Sequence, residues 1–445
     1  MNWREPFIYF VLYATGSKIP RYLKQIRKYE YLSQDKITEL TNRKLEELLF
    51  HSYNNVPYYH KILEESDVVV GGQVRLENFS RVPILTKEII RKEGENLYSK
   101  DYKQRRPYEN TSGGSTGEPV LFIQDKNYSD WNIANTMYYR SFGSQKLGGK
   151  ELRLWGSERD YLEGHEKLSM RLRNKLINRR DANTFKLTEK DLWRLYKRWN
   201  HFKPSWVEAY IQSLYEFANF VNENNLALHK PEGVLSSVGN LYPEIKKLFE
   251  QTFSCPVFNR YGSREVGGIA CSCGGEDNLH ISVWNNYVEI LDDNFDPVKP
   301  GEMGRVCITN LNNFSMPMIR FDIKDIAIPQ EGICSCGRTT PLLRKIVGRD
   351  NSIIKTKNGK MDGAALAIAF YFFKSIKKYQ LIQKKIDSFL IYVELNDKNL
   401  WEKEKIEIET KLRKLLGNDV KLSFNVVDDI PPTPSGKMMY LISEI

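Results

Sequence analysis

The chain has 445 residues, more than one ordinary hydrophobic core organises, so two or three domains are expected. Its 41% hydrophobic and 27% charged residues exclude an intrinsically disordered protein, and six cysteines exclude a disulfide-stapled scaffold. A net charge of +10 points to anionic partners: nucleotides, nucleic acid or an acidic bilayer face.

In chain order, the first feature is the apolar run 6–16 (PFIYFVLYATG), followed by Lys18, Arg21, Lys24, Arg27 and Lys28. A spanning helix needs roughly 20 apolar residues, about twice this run. A signal peptide carries its positive charge before the apolar segment and a small-residue cleavage site after it; neither is present. The expectation is a cytoplasmic protein whose first helix packs on its body, with at most a peripheral membrane contact through apolar and basic faces. Residues 35–65 space Ile37, Leu40, Leu45, Leu48 and Leu49 at helical intervals, which extends a helical N-terminal region over 1–65.

Residues 111–119 (TSGGSTGEP) combine four hydroxyls with three glycines ahead of the apolar 120–123. Glycine permits backbone angles that let a loop wrap an anion, and its N–H groups suit phosphate oxygens. A flexible surface loop has the same composition. The run lacks the Gly-Lys-Ser/Thr ending of the lysine-bearing phosphate loop. Beyond it, β-prone runs at 120–123, 152–155, 234–238 and 257–258 alternate with helical patterns at 191–199 and 211–222. That alternation predicts largely parallel sheets in a layered α/β body. Basic residues crowd between Lys167 and Lys203, and a solvated helical surface accounts for them better than a nucleic-acid site.

Tyr261, Gly262 and Glu265 follow the strand at 257–258, offering a ring face for a flat ligand and a carboxylate suited to Mg²⁺ beside phosphates. Cys271-x-Cys273, His280 and Cys334-x-Cys336 supply five candidates for the four positions of a tetrahedral zinc, with Cys273, His280, Cys334 and Cys336 the preferred set. Reduced, unmetallated cysteines are the plain alternative, and Cys255 and Cys307 read as core residues. Arg320 to Asp325 provide carboxylates able to accept from ribose hydroxyls. After Gly348-Arg349 the pattern changes to helix (364–373), strand (389–395), helix (403–416) and strand (420–427), the order of a small α+β domain. Lys437 stands on the Pro/Gly-rich loop 431–437, a mobile point cation for developing negative charge.

Taken in order, these motifs resemble the adenylate-forming ligases, and more closely the phenylacetate–CoA ligase branch with its capsule-biosynthesis relatives. The matching residues are the loop at 111–119, the aromatic-Gly-x-x-Glu run at 261–265, Arg320 to Asp325, Gly348-Arg349 and Ser435-Gly436-Lys437; the run 54–59 (NNVPYY) also matches that branch. The resemblance spans roughly 50–440 and implies a fold: an α/β chain with a large multi-layer N-terminal adenylating domain (1–347) and a small mobile α+β C-terminal domain (348–445). It implies ATP-dependent formation of an acyl-adenylate, then acyl transfer to CoA, an amine or a sugar amine. The implied nucleotide-binding residues are Ser112, Gly113, Gly114, Ser115, Thr116, Gly117, Tyr261, Gly262, Asp325 and Arg349, with Glu265 for magnesium and Lys437 as the catalytic cation. In such relatives, counterparts of Cys273, His280 and the 334–339 run can hold structural zinc. The partners expected are a carboxylic acid and an acyl acceptor, with no specific nucleic acid. Departures from the family pattern are Ser263-Arg264 before the glutamate, Asn240 in place of an acidic residue, and no aspartate shortly after Asp350. The competing class is a zinc-containing basic protein that binds nucleic acid or anionic polymer without ATP turnover.

Overall fold

The computed structural model describes residues 3–112, 120–155, 168–184, 187–349, 353–357, 359–363, 366, 369–370, 373–431 and 439–445. The chain forms two compact units, Met1–Ile323 with Ile328–Lys345, and Lys324–Ala327 with Ile346–Ile445.

The first unit begins with four helices: α1 (Arg4–Ala14), α2 (Ile19–Tyr29), α3 (Gln34–Asn55) and α4 (Pro57–Glu65). The single helical pattern expected over 35–65 is thus two helices. Pro57 disfavours helical angles at the residue before it, and Val56 adopts φ −114°, ψ 113°. The proline then starts α4, where its missing N–H costs nothing. Helix α2 buries Ile19, Tyr22, Leu23 and Ile26, and Tyr22 stacks on Trp131 of the later helix α6 with ring centroids 4.1 Å apart. Helices α5 (Lys87–Glu93) and α6 (Lys126–Ser141) flank the hairpin described next.

Two small hairpins, β1–β2 (Val69–Val70, Gln73–Val74) and β3–β4 (Tyr108–Thr111, Leu121–Gln124), precede the main sheet. That sheet has eleven strands: β5 (Glu151–Trp155), β6 (Arg179–Asn183), β7 (Trp206–Tyr210), β8 (Gly233–Ser237), β9 (Val257–Ser263), β10 (Gly267–Ser272), β11 (Leu279–Ile281), β12 (Asn286–Leu291), β13 (Gly304–Asn310), β14 (Phe321–Gln330) and β15 (Leu342–Arg349). Their order is β12-β13-β14-β15-β11-β10-β9-β8-β7-β5-β6. The expected parallel sheet is only half of it. Strands β6-β5-β7-β8-β9 are parallel, joined by helical crossovers, whereas the pairs β9–β10, β10–β11, β11–β15 and β12–β13 are antiparallel. The three-residue turn from β9 to β10 permits no other sense, because parallel neighbours need a long crossover. Under the parallel half, Trp199, Phe217 and Phe253 stack between three helices at 5.3–5.5 Å from Trp199.

Most of the described basic residues of the run at 167–203 are exposed as expected, among them Arg171, Arg173, Lys175, Arg180, Arg194 and Lys197, but Arg179 is an exception. Arg179 on β6 is nearly buried and lies 3.0 Å from Glu151, while Arg140 of α6 bridges Glu151 and Glu208 at 2.9 and 2.6 Å. Cross-strand register sets Glu151 beside Arg179 and Arg153 beside both Asp181 and Glu208. Burial alone would raise the Glu208 carboxyl pKa, but Arg140 and Arg260 outweigh it and hold that group ionised.

The second unit carries the hairpin β16–β17 (Ile353–Thr356, Gly359–Asp362) and a four-stranded sheet. In that sheet β18 (Ile376–Lys385) and β19 (Ser388–Leu395) pair antiparallel, and β20 (Lys421–Val427) and β21 (Leu441–Ser443) add parallel edges. The helix Lys398–Leu416 connects β19 to β20 and buries Trp401, Ile408 and Leu412; Asp397 caps its start by accepting from the Asn399 N–H. Most of the helix expected over 364–373 lies outside the described residues.

Candidate functional site

Strands β3 and β4 close the base of the Ser/Thr/Gly loop. Thr111 is opposite Leu121, the Ser112 N–H donates to the Val120 carbonyl at 2.9 Å, and the Val120 N–H donates to Ser112 Oγ at 2.9 Å. Gly113, Gly114, Ser115, Thr116 and Gly117 themselves lie outside the described residues. Three positions beyond the loop stem, the buried Gln124 amide donates to the carbonyls of Arg264 (2.8 Å) and Glu265 (3.1 Å). One side chain therefore joins the loop's base to the glutamate-bearing turn, 140 residues away.

That turn links β9 to β10. Strand β9 runs longer than the apolar 257–258 suggests, so Tyr261 sits inside it at 9% exposure. Gly262 packs so closely that an added Cβ would lie 2.5 Å from the Gly267 carbonyl. Gly267 has φ +75°, and an added Cβ there would lie 2.5 Å from Asn132 Oδ1. The amide of Asn132 accepts from the Gly268 N–H at 3.1 Å, while Asn135 donates to the Gly268 carbonyl at 3.2 Å. Glu265 is buried, with its carboxylate 3.9 Å from the Lys87 ammonium of α5. The turn is braced by Ser263 Oγ, which accepts from the Val266 N–H, and by Asn310, which donates to the Val266 carbonyl. Tyr128 packs beside Gly267 with its phenol pushed far above its ordinary range by burial, then by Tyr108 and Glu265.

Arg320, first residue of the third motif, is a buried clasp. It occupies the left-handed region at φ +50° and donates to the carbonyls of Ser80 and Val82 (2.7 Å to Val82). It also pairs with Glu289 at 3.1–3.2 Å; burial raises the Glu289 carboxyl against the pull of this guanidinium. Backbone bonds between Leu85 and both Arg320 and Asp322 continue the contact. The segment held by Arg320 thus leads directly into Lys87, beside Glu265. Asp325 is half-buried on β14. The side chain of Arg349 and residues 432–438, which include Lys437, are outside the described residues.

A second cluster forms at the far end of β10. The hairpin register folds His280 back opposite Cys271, and the pairing of His280 with Leu342 brings in the turn before β15. One donor atom each from Cys273, His280, Cys334 and Cys336 lies within 4.8 Å of the others. Cys273 Sγ and Cys334 Sγ are 3.5 Å apart, and Cys336 Sγ is 3.4 Å from His280 Nε2. Ligands bound tetrahedrally at Zn–S distances of about 2.3 Å sit about 3.8 Å from each other, so three sulfurs and one imidazole at these separations fit that ion. Cys271 is buried in β10 and is not one of the four. His280 Nδ1 meets Thr340 Oγ1 at 3.1 Å, which orients Nε2 toward the sulfurs. Burial lowers the His280 pKa to about 4, leaving the ring neutral and able to ligate. Burial opposes ionisation of the Cys336 thiol, but the Arg338 N–H and guanidinium prevail and its pKa is lowered.

Residues 352–444 match the family model of the CapK C-terminal domain. Over 414 residues the chain is 24% identical to protein CapK of Staphylococcus aureus, covering 92% of this chain and 89% of that one. It is 23% identical over 393 residues to the phenylacetate–coenzyme A ligase of Thermus thermophilus, with 83% of each covered. The fold is that of 2-hydroxyisobutyryl-CoA ligase solved in the postadenylation state with 2-HIB-AMP, at TM-score 0.74 and 17% identity over 94% of this chain and 92% of that one. These similarities support the adenylate-forming ligase superfamily. Within that superfamily the similarity is to the branch that holds CapK and phenylacetate–CoA ligase, and the large α/β unit with a small second unit matches the architecture of adenylate-forming ligase structures.

The motifs left out several residues that build the site. Gln124, Lys87, Asn132, Asn135 and Thr340 belong to no motif. Gln124 carries a local signal, a polar residue closing the apolar strand directly after the loop. Asn132 and Asn135 are three apart on α6, the spacing of one helical face. Lys87 offers no signal in a lysine-rich chain.

Proposed function

We propose that this protein activates a carboxylic acid with ATP, giving an acyl-adenylate and pyrophosphate, and passes the acyl group to CoA or another nucleophile. The observation that carries this reading is the Gln124 amide, bound to both carbonyls of the Arg264-Glu265 turn at the foot of the Ser/Thr/Gly loop. A phosphate cradle and a carboxylate suited to a metal are the two groups that must stand side by side when pyrophosphate leaves. In this reading the loop N–H groups and the hydroxyls of Ser115 and Thr116 grip the departing phosphates. Ser112 accepts from Val120 and so keeps its O–H for donation. Glu265 would hold Mg²⁺, which neutralises phosphate charge. Tyr261 and Gly262 would line the adenine, Asp325 would accept from the ribose hydroxyls, and Arg349 and Lys437 would meet the charge that develops on adenylate and carboxylate oxygens. Glu265 and Lys437 are then the residues that touch the reacting groups, and 348–445 forms the domain that bears Lys437.

Cys273, His280, Cys334 and Cys336 would hold one structural Zn²⁺ that staples β10 and β11 to the turn before β15. The similarity to CapK supports a place in surface-polysaccharide synthesis, with an amine or sugar amine as alternative acceptors to CoA. A screen of carboxylic acids for pyrophosphate release from ATP, with and without CoA, tests the activity. Acid-dependent release that Lys437→Ala abolishes is expected. Salt-sensitive nucleic-acid binding with no pyrophosphate release for any acid overturns it in favour of a basic binding protein.

A further inference from the structure

Helix α1 turns an apolar face outward that the chemistry above does not use. Trp3 (61% exposed), Phe7 (45%), Phe10 (67%) and Tyr13 (69%) project from it, while Ile8 is its buried anchor. At 100° per residue these four rings fall within an arc of about 120°. The corner after α1 is fixed: Ser17 Oγ and the Lys18 N–H both donate to the Asp130 carboxylate of α6, at 3.3 and 3.0 Å. The rings are therefore held outward by a rigid corner. Lys18, Arg21, Lys24, Arg27 and Lys28 are exposed on and beside α2, and Glu5 is the only acidic residue between Trp3 and Tyr29. Contiguous exposed aromatics of this kind mark an interaction surface. Tryptophan, phenylalanine and tyrosine beside a cluster of lysines and arginines match a bilayer interface with acidic headgroups. Among the described residues no helix is long and apolar enough to cross a membrane, so the contact lies along the surface.

We propose that α1 and α2 dock this protein on an anionic phospholipid bilayer, with the Trp3–Phe7–Phe10–Tyr13 face embedded at headgroup level and the α2 cations on acidic lipid. Flotation with vesicles of equal parts phosphatidylglycerol and phosphatidylcholine, against phosphatidylcholine alone, tests it on the full chain. The expected result is retention on the acidic vesicles only. Phe7→Ser combined with Phe10→Ser should weaken partitioning about tenfold or more. Lys24→Glu combined with Lys28→Glu should weaken it by roughly fivefold per charge removed, and added salt should do the same. Trp3 emission, isolated by difference from Trp3→Phe, should shift to the blue on the vesicles. Circular dichroism of the variants guards against misfolding, since all four side chains are exposed. Absence of retention on acidic vesicles overturns the proposal, as does retention that the phenylalanine pair leaves unchanged. A concentration-dependent dimer that Phe10→Ser dissolves, seen by sedimentation without lipid, also overturns it by assigning the face to a second copy.

Discussion

At the scale of single residues, Gln124 and Lys44 show how burial converts one polar group into a constraint. Gln124 donates to two carbonyls of one turn. Gln124→Ala should leave both without that donor and cost about 1–3 kcal/mol, read as a lowered Tm. It should also slow ATP–pyrophosphate exchange at least tenfold, a barrier increase of roughly 1.4 kcal/mol, if the loosened turn misplaces Glu265. Normal exchange in a folded Gln124→Ala protein would remove the turn from the site. The Lys44 ammonium donates to Asn312 at 2.7 Å and lies over the Trp131 ring at 4.2 Å, and burial lowers its pKa to about 7. The unfolded chain keeps that proton until near pH 10.5. Between pH 7 and 10.5 it therefore binds more protons than the folded one, and stability rises with pH there. Below pH 7 the penalty is complete. Lys44→Met should raise stability by about 2 kcal/mol at pH 6, with the advantage shrinking by pH 10, as denaturant melts at the two pH values would report. Lys44 did not stand out in the sequence, and the place of Gln124 at the end of an apolar strand gave no mark of the partners that fold around it.

At the scale of elements, the hairpin turn from β9 to β10 is set by close approach. Gly262→Ala would drive a methyl to 2.5 Å from the Gly267 carbonyl, so the two strands must part or the turn must shift. A loss of about 1–3 kcal/mol is expected, with activity falling more than stability alone explains; unchanged kinetics in the purified variant would argue against the turn's role. The strands and helices of the parallel half were legible because apolar runs and helical spacings are local signals. The antiparallel half was not, since pairing sense depends on connection length, and the short turn after β9 looks like any glycine-rich loop. The split of 35–65 was readable in principle at Val56-Pro57, where a local steric rule overrides a continuing apolar period.

At the scale of the whole molecule, the Cys/His cluster ties distant parts of the first unit together. The run after Cys336 reaches the N-terminal helices: Arg338 pairs with Glu30 at 2.7 Å, and the Thr339 N–H donates to the Glu30 carbonyl at 3.1 Å. If one zinc sits on the four ligands, purified protein should contain about one equivalent, and a strong chelator should lower Tm by several degrees. Cys334→Ser with Cys336→Ser should lose the metal and speed proteolysis near Glu30. Metal-free protein with an unchanged melt in chelator would refute the assignment. By itself the sequence determined the motif order that marks the superfamily, the α/β class and the identities of the four cluster residues, all carried by local spacing and residue chemistry. Only the tertiary structure decided that Gln124 joins the loop's base to Glu265, that Arg320 is a buried clasp, that half the sheet is antiparallel and that Cys271 stays outside the cluster. The first two depend on contacts between residues more than a hundred positions apart, which no short window of sequence contains, and the last two on strand register, which residue types alone do not fix.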